Sequence, residues 1–248
     1  MNLRFDLSLA DRYNSSSQIA RVLTENWIEN HMFCPRCGNT SINHFENNRP
    51  VADFFCPICK NEYELKSKNG RLGDKINDGS YDTMINRITS NANPDFFFMS
   101  YDLVLIPKYF FVPDIIEKRK PLAQTARRAG WIGCNILISK IPKQGKIPII
   151  INGYLINKDV IIYKTNKSQS LETRDMLSRG WLMDILSCVN QITNNEFNLD
   201  EMYAYENILA CKYPDNNNIR AKIRQQLQLL RDKGYIEFLG RGRYRKIV

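Results

Sequence analysis

The sequence predicts an α/β fold: a core with an inserted four-cysteine zinc-binding segment, followed by a C-terminal winged-helix domain. Three observations predict it. Two C-x2-C pairs, Cys34/Cys37 and Cys56/Cys59, stand 18 residues apart. Asp53, Glu64 and Lys66 fall in a D-x(10)-E-x-K spacing on stretches that read as neighbouring strands. Beyond Trp181 the chain reads as three helices and a basic two-stranded ribbon, which suggests domains of 1–180 and 181–248.

Each element has a local reason. Ser15, Ser16 and Ser17 offer N-caps to a helix on which Ile19, Leu23 and Trp27 recur. Glu25 and Glu29 fall on or near its polar side, where a solvated face competes with a supporting role at a metal. Residues 51–55 and 63–67 read as strands joined by the second cysteine pair. Residues 96–99, 103–106 and 147–151 are apolar runs suited to buried strands, and Asn152-Gly153 suits a hairpin turn. Residues 182–192 form an apolar-periodic helix. Asn198 and Glu201 have the spacing of a capping box, opening a helix to about residue 210. Asn216, Asn217 and Asn218 then cap a third helix, striped by Ile219, Ile223, Leu227 and Leu230 and closed by Gly234. The ribbon follows, turning at Gly240-Arg241-Gly242.

Composition narrows the partners. The 248 residues are 43% hydrophobic and 25% charged, as in ordinary globular proteins. No apolar run reaches the roughly 18 residues of a membrane span, and the first residues lack the pattern of a signal peptide. A cytoplasmic protein without membrane contact is expected. Of the net charge of +9, the last 33 residues hold +7, so a polyanion, most simply nucleic acid, is the expected partner. No protein partner is evident, and a monomer is expected.

Four thiolates at this spacing give closed, tetrahedral Zn2+, a structural site; paired disulfides are the alternative that a reducing cytosol disfavours. Cys134, Cys188 and Cys211 sit among apolar residues as buried thiols. In a strand, Glu64 and Lys66 share a face and Leu65 turns inward. Asp53, Glu64 and the Leu65 carbonyl are hard oxygen ligands suited to Mg2+, with Lys66 placed to orient water or neutralise a phosphate. This is the pattern of metal-dependent nucleases, although spacing alone equally describes surface charge on two strands. His31 and His44 are the only histidines and read as surface or loop residues.

The third helix carries Arg220, Arg224, Gln225 and Arg231 opposite its apolar stripe, a layout for reading base edges and phosphates. Lys222 and Lys233 read as backbone contacts, and Arg241, Arg243, Arg245 and Lys246 as the grip of the wing. A second basic cluster lies at 118–120 with Arg127, Arg128 and Trp131. Trp131 suits either a core position or stacking on a base.

Several longer runs resemble DpnI-type methyl-directed restriction endonucleases over nearly the whole chain. They are H-F-E-N-N-R-P-V-A-D-F at 44–54, E-L-K-S-K at 64–68, I-N-D-G at 76–79, P-L-A-Q-T-A-R-R-A-G-W-I-G-C-N-I at 121–136, S-R-G-W at 178–181 and I-R-Q-Q-L-Q-L-L-R-D-K at 223–233. The resemblance implies a PD-(D/E)xK nuclease core with a zinc segment, then a winged helix. It implies a Type II, Mg2+-dependent enzyme cutting double-stranded DNA to blunt ends at G-A-T-C when adenine is N6-methylated. Asp53, Glu64 and Lys66 match its catalytic motif, Cys34, Cys37, Cys56 and Cys59 its zinc ligands, and Trp131 its methyl-sensing tryptophan. The motif's first half reads Pro50-Val51-Ala52-Asp53, with the proline not adjacent to the aspartate, as in the family. The alternative is a zinc-containing winged-helix regulator without nuclease activity.

Overall fold

The computed structural model describes residues 2–46, 52–90 and 93–247. They divide into two compact units, 1–169 and 170–248.

The first unit opens with α1 (Ser16–His31), which buries Leu23, Trp27 and Ile28. Its N-cap is Ser15, within the expected serine run, but the side chain makes no capping bond; the Ser15 hydroxyl lies 2.9 Å from that of Ser17 instead. Then come β1 (Asn43–His44), β2 (Phe54–Phe55), β3 (Glu62–Ser67), β4 (Lys75–Ser80) and α2 (Tyr81–Thr89). β5 (Asp95–Met99), β6 (Leu103–Ile106), β7 (Ile116–Lys118), β8 (Gly133–Leu137), β9 (Ile147–Ile151), β10 (Tyr154–Leu155) and α3 (Lys158–Gln169) complete it. Val51, at the start of the expected strand over 51–55, and Pro50 before it lie outside the described residues; the strand itself is the short β2.

These strands build two sheets. One runs β1-β2-β3-β5-β6-β9-β10, antiparallel except where β3 meets β5 in parallel. The crossover between those two carries β4 and α2. β5 is buried along its length because the sheet continues on both sides, which is why 95–99 reads as an unbroken apolar run after its first residue. Tyr63 stacks on Phe97 at 5.0 Å within a core that also takes in Trp27, Phe54, Leu105 and Ile149. The expected hairpin forms between β9 and β10: Asn152 and Gly153 both take positive φ, 49° and 78°. The second sheet, β4-β8-β7, has no clear periodic signal in the sequence.

The second unit comprises α4 (Met176–Gln191), β11 (Glu196–Asn198), α5 (Leu199–Tyr203), α6 (Glu206–Lys212), α7 (Ile219–Asp232), β12 (Ile236–Gly240) and β13 (Arg243–Lys246). Residue 180 lies inside α4. The capping box is present, with Glu201 N–H donating to Asn198 and Asn198 N–H to Glu201. The helix it opens is not continuous to 210 but breaks into α5 and α6 around Ala204. α7 buries Ile219, Ile223, Leu227 and Leu230 as its stripe requires. Its N-cap is Asn218, within the expected asparagine run, but that side chain makes no capping bond, and Asn216 Oδ1 accepts from the Asn218 N–H at 2.8 Å. At the other end Gly234, at φ 73°, terminates α7. β12 and β13 meet through Arg241 and Gly242, at φ 51° and 74°, and β11 adds a third strand, giving order β11-β13-β12. This is a winged helix. Cys188 is buried in α4 and Cys134 in β8, but Cys211 is exposed on α6, a two-turn helix whose inward position is taken by Leu209. No helix among the described residues is long and apolar enough to cross a membrane.

Packing in the first unit is tight at Gly145, where an added Cβ would stand 2.5 Å from the Phe110 ring and 2.9 Å from Ile141. Gly145→Ala is expected to destabilise by about 1–3 kcal/mol, read as a lower denaturant midpoint with an unchanged m-value.

Candidate active site and DNA interface

Two matching turns build the cysteine cluster. In the first, Cys34 N–H donates to Asn39 O at 2.8 Å and Gly38 N–H to Cys34 O at 2.9 Å. In the second, Cys56 N–H donates to Asn61 O at 2.9 Å and Lys60 N–H to Cys56 O at 3.0 Å. The residue after the second cysteine is left-handed in both, Gly38 at 77° and Lys60 at 59°. All four sulfurs lie within 4.8 Å of one another, and the Cys34–Cys59 and Cys37–Cys56 pairs are each 3.6 Å apart. Four thiolates about 2.3 Å from zinc would stand about 3.8 Å apart, so the set fits a closed structural zinc and leaves no place for a reactant. The Tyr63 hydroxyl, 3.0 Å from Cys34 Sγ, is placed to donate to a thiolate. Buried Asp95 accepts from Asn61 (2.9 Å) and Arg36 (3.2 Å), one residue from each turn, and from the Lys108 N–H at 2.8 Å.

The second cysteine turn joins β2 to β3. At Asp53 the chain leaves the ladder: its N–H still reaches Tyr63 O at 2.9 Å, while its carboxylate takes over as acceptor for the Leu65 N–H at 2.7 Å. Glu64 and Lys66 project from one face of β3 and pair with each other, and Leu65 packs toward the core. The structure thus brings Asp53, Glu64, Leu65 and Lys66 together.

It also brings residues that spacing did not reveal. Lys66 donates to Asp78 of β4 as well as pairing with Glu64. Arg87 of α2 sits 2.5 Å from the second Glu64 oxygen, and its Nε and Nη2 groups are buried without a protein partner among the described residues. Glu25 of α1 pairs with Arg21 at 2.9 Å and approaches His44 Nε2 at 3.5 Å. Glu25 and His44 are half-buried and line an open groove with Glu29 and Tyr13, and His44 lies on β1, not in a loop. His31 stacks on Trp27 at 5.1 Å.

Burial dominates the electrostatics. It pushes the Asp53 carboxyl up, against the Leu65 N–H and the Lys66 charge, and pushes Glu64 up against Lys66 and Arg87. Burial also lowers the Lys66 ammonium, but the Glu64 and Asp78 carboxylates more than reverse this and hold it above the usual lysine range. Buried hard oxygens suit a divalent cation, and Asp53, Glu64 and the Leu65 carbonyl are the donors that would hold it.

Arg127 and Arg128 are exposed on the loop between β7 and β8, which is closed by bonds from Leu122 N–H to Trp131 O and from Gly130 N–H to Leu122 O, both 3.0 Å. Trp131 is half-buried, its ring lying over Gly133, where a Cβ would approach to 2.8 Å.

A model of the DpnI family, the Dam-replacing family, matches residues 1–174, and a model of the Dam-replacing HTH domain matches 177–246. The chain belongs to the DpnI family. It is a methyl-directed restriction nuclease whose partner is DNA.

In the HTH domain of this DpnI-family chain, Arg220, Arg224 and Gln225 are exposed on α7. Arg220 pairs with Glu206 at 2.7 Å over the Tyr203 ring, and Arg224 donates to the Tyr203 hydroxyl at 2.6 Å. On the wing, Arg241 occupies the turn; Arg243 and Arg245 both bind Glu196 at 2.8 Å. Exposed pairs of this kind are weak and readily exchanged for phosphate. Lys233 is a correction: it donates to the Ser170 carbonyl and serves the fold.

Removing zinc with a strong chelator, or substituting Cys56→Ser, is expected to lower zinc content from about one per chain to none. The melting transition of the nuclease unit should be lost with it, as followed by metal analysis and circular dichroism.

Proposed function

We propose that the chain is a Type II endonuclease with a PD-(D/E)xK centre. It cleaves double-stranded DNA at G-A-T-C carrying N6-methyladenine, leaves blunt ends, and reads the methylated site with both units. The reading rests on the pairing of Asp53 with the Leu65 N–H beside the Glu64–Lys66 pair. Family membership and the basic HTH domain support it. A winged-helix regulator without nuclease activity leaves this buried acid–base constellation without a task.

Asp53, Glu64 and the Leu65 carbonyl would hold Mg2+, which would supply polarisation of the phosphate and a more acidic water. The Leu65 N–H keeps Asp53 aimed at the site. Lys66, protonated between its two carboxylates, orients the attacking water and offsets charge building on the phosphate. Arg87 holds Glu64 in one rotamer. Trp131 covers the adenine methyl on the nuclease unit, with Arg127 and Arg128 on flanking phosphates. Arg220, Arg224, Gln225, Arg241 and Arg243 bind and read the duplex on the other. Two readers are useful because a pocket shaped for one methyl discriminates by only about 1–3 kcal/mol.

The test is one plasmid in two forms, with and without adenine methylation at G-A-T-C, incubated with protein and Mg2+. Blunt fragments are expected from the methylated form alone; cutting of both forms would discard the methyl reading, and cutting of neither the nuclease. Asp53→Ala and Lys66→Ala are expected to lower the rate by about 10²–10³-fold or more, with duplex binding retained. Residues 170–248, which form a unit with a core of their own, are expected to bind methylated duplex about 10-fold or more tighter than unmethylated in a fluorescence titration. Equal affinities would place all methyl reading on the nuclease unit.

A further inference from the structure

Asp78 has no place in the spacing that marks Asp53, Glu64 and Lys66. Its side chain is nevertheless only 5% exposed, and it is one of two carboxylates on the Lys66 ammonium. Glu64 comes from the lysine's own strand, Asp78 from the other sheet. A carboxylate is buried at this depth only where a cation compensates it, so the two side chains fix each other. They differ in one respect. Glu64 is also a prospective metal ligand, and an ammonium anchored by Glu64 alone would lose that anchor once the carboxylate engaged a cation. Asp78 supplies an anchor that remains.

We propose that Asp78 is a positioning residue: it holds the Lys66 ammonium in register for the reaction and ties it to the loop that carries Trp131. This deepens the endonuclease reading and rests on it. The tie runs through backbone. β4 pairs with β8 with Asp78 opposite Cys134 and Ser80 opposite Gly133, and the register shifts between Asp78 and Ser80. The Tyr81 N–H donates to Ile132 O at 3.1 Å, and the Cys134 thiol to Gly79 O at 3.6 Å. Trp131 therefore ends its loop two residues before the strand pair that bears Asp78, with its ring pressed on Gly133. Movement of that ring on meeting DNA passes to Gly133, to its partner Ser80, and so to the irregular step beside Asp78. A displacement of about 1 Å at a catalytic group costs on the order of 10²-fold in rate.

The experiment measures single-turnover cleavage of a methylated G-A-T-C duplex in Mg2+, with affinity for the same duplex measured without divalent cation and melting as the check on folding. Asp78→Asn is expected to slow cleavage about 10²-fold at unchanged affinity, with Asp78→Glu recovering part of the rate. Asp78→Asn combined with Trp131→Ala is expected to lose less than the product of the two single losses. A folded Asp78→Asn protein that cleaves at the wild-type rate, or loses affinity as steeply as rate, overturns the positioning role. If Asp78→Asn does not fold, Asp78→Glu decides by the same two readings. Losses that multiply overturn the tie to the loop. Failure of the wild type to cut any methylated duplex is a separate result, and it overturns the endonuclease reading itself.

Discussion

Alternation along β3 is the constraint on which the site depends. Tyr63 and Leu65 face the core and the cysteine cluster; Glu64 and Lys66 face the opposite way. A slip of one residue would set Leu65 among the carboxylates and bury a lysine against Phe97. The register is held from three directions: the antiparallel pairing of Phe54 with Tyr63, the parallel pairing of Tyr63 with Asp95, and the Tyr63 hydroxyl at Cys34 Sγ. No single one of these selects the face that carries Glu64 and Lys66. Together they leave one arrangement.

The cysteine cluster explains how so short a β2 can position the Asp53 carboxylate. Two residues of ladder hold a strand poorly, and Asp53 stands where that ladder ends. Four thiolates around a zinc ion would fix the turn between β2 and β3, and Asp95 binds both cysteine turns from within β5. A buried carboxylate with Arg36, Asn61 and a backbone N–H around it is satisfied on every side, so it stiffens the cluster without leaving an uncompensated charge. A zinc ion held there would act on the Asp53 and Glu64 side chains through geometry, not through reactivity.

Charge in the HTH domain is arranged differently from charge in the nuclease unit. Around Lys66 the pairs are buried and fixed, and their breaking is costly. On α7 and the wing, Arg220, Arg243 and Arg245 lean on Glu206, Glu196 and Glu237 in water. Such pairs hold long side chains near the surface and would yield to a phosphate at little cost, as the proposed DNA-reading role requires.

The sequence by itself determined what depends on local spacing. The cysteine pairs, the alternation of Glu64, Leu65 and Lys66, the apolar stripe of α7, the Asn198 capping box and the turn at Asn152-Gly153 each follow from a few neighbouring residues. The serine and asparagine runs supply the N-caps Ser15 and Asn218 as expected. The side-chain bonds are not made, because such a run offers several competing acceptors whose choice depends on the entering chain. Only the tertiary structure decided the second sheet, whose strands have no clean periodicity, and with it the arrival of Asp78 at Lys66. Arg87 at Glu64 and Glu25 near His44 belong to the same class, as does the exposure of Cys211. The physical reason is that periodicity states which face of an element is buried. Which charged residue from a distant element meets that face is settled by packing and by the need to compensate each buried charge.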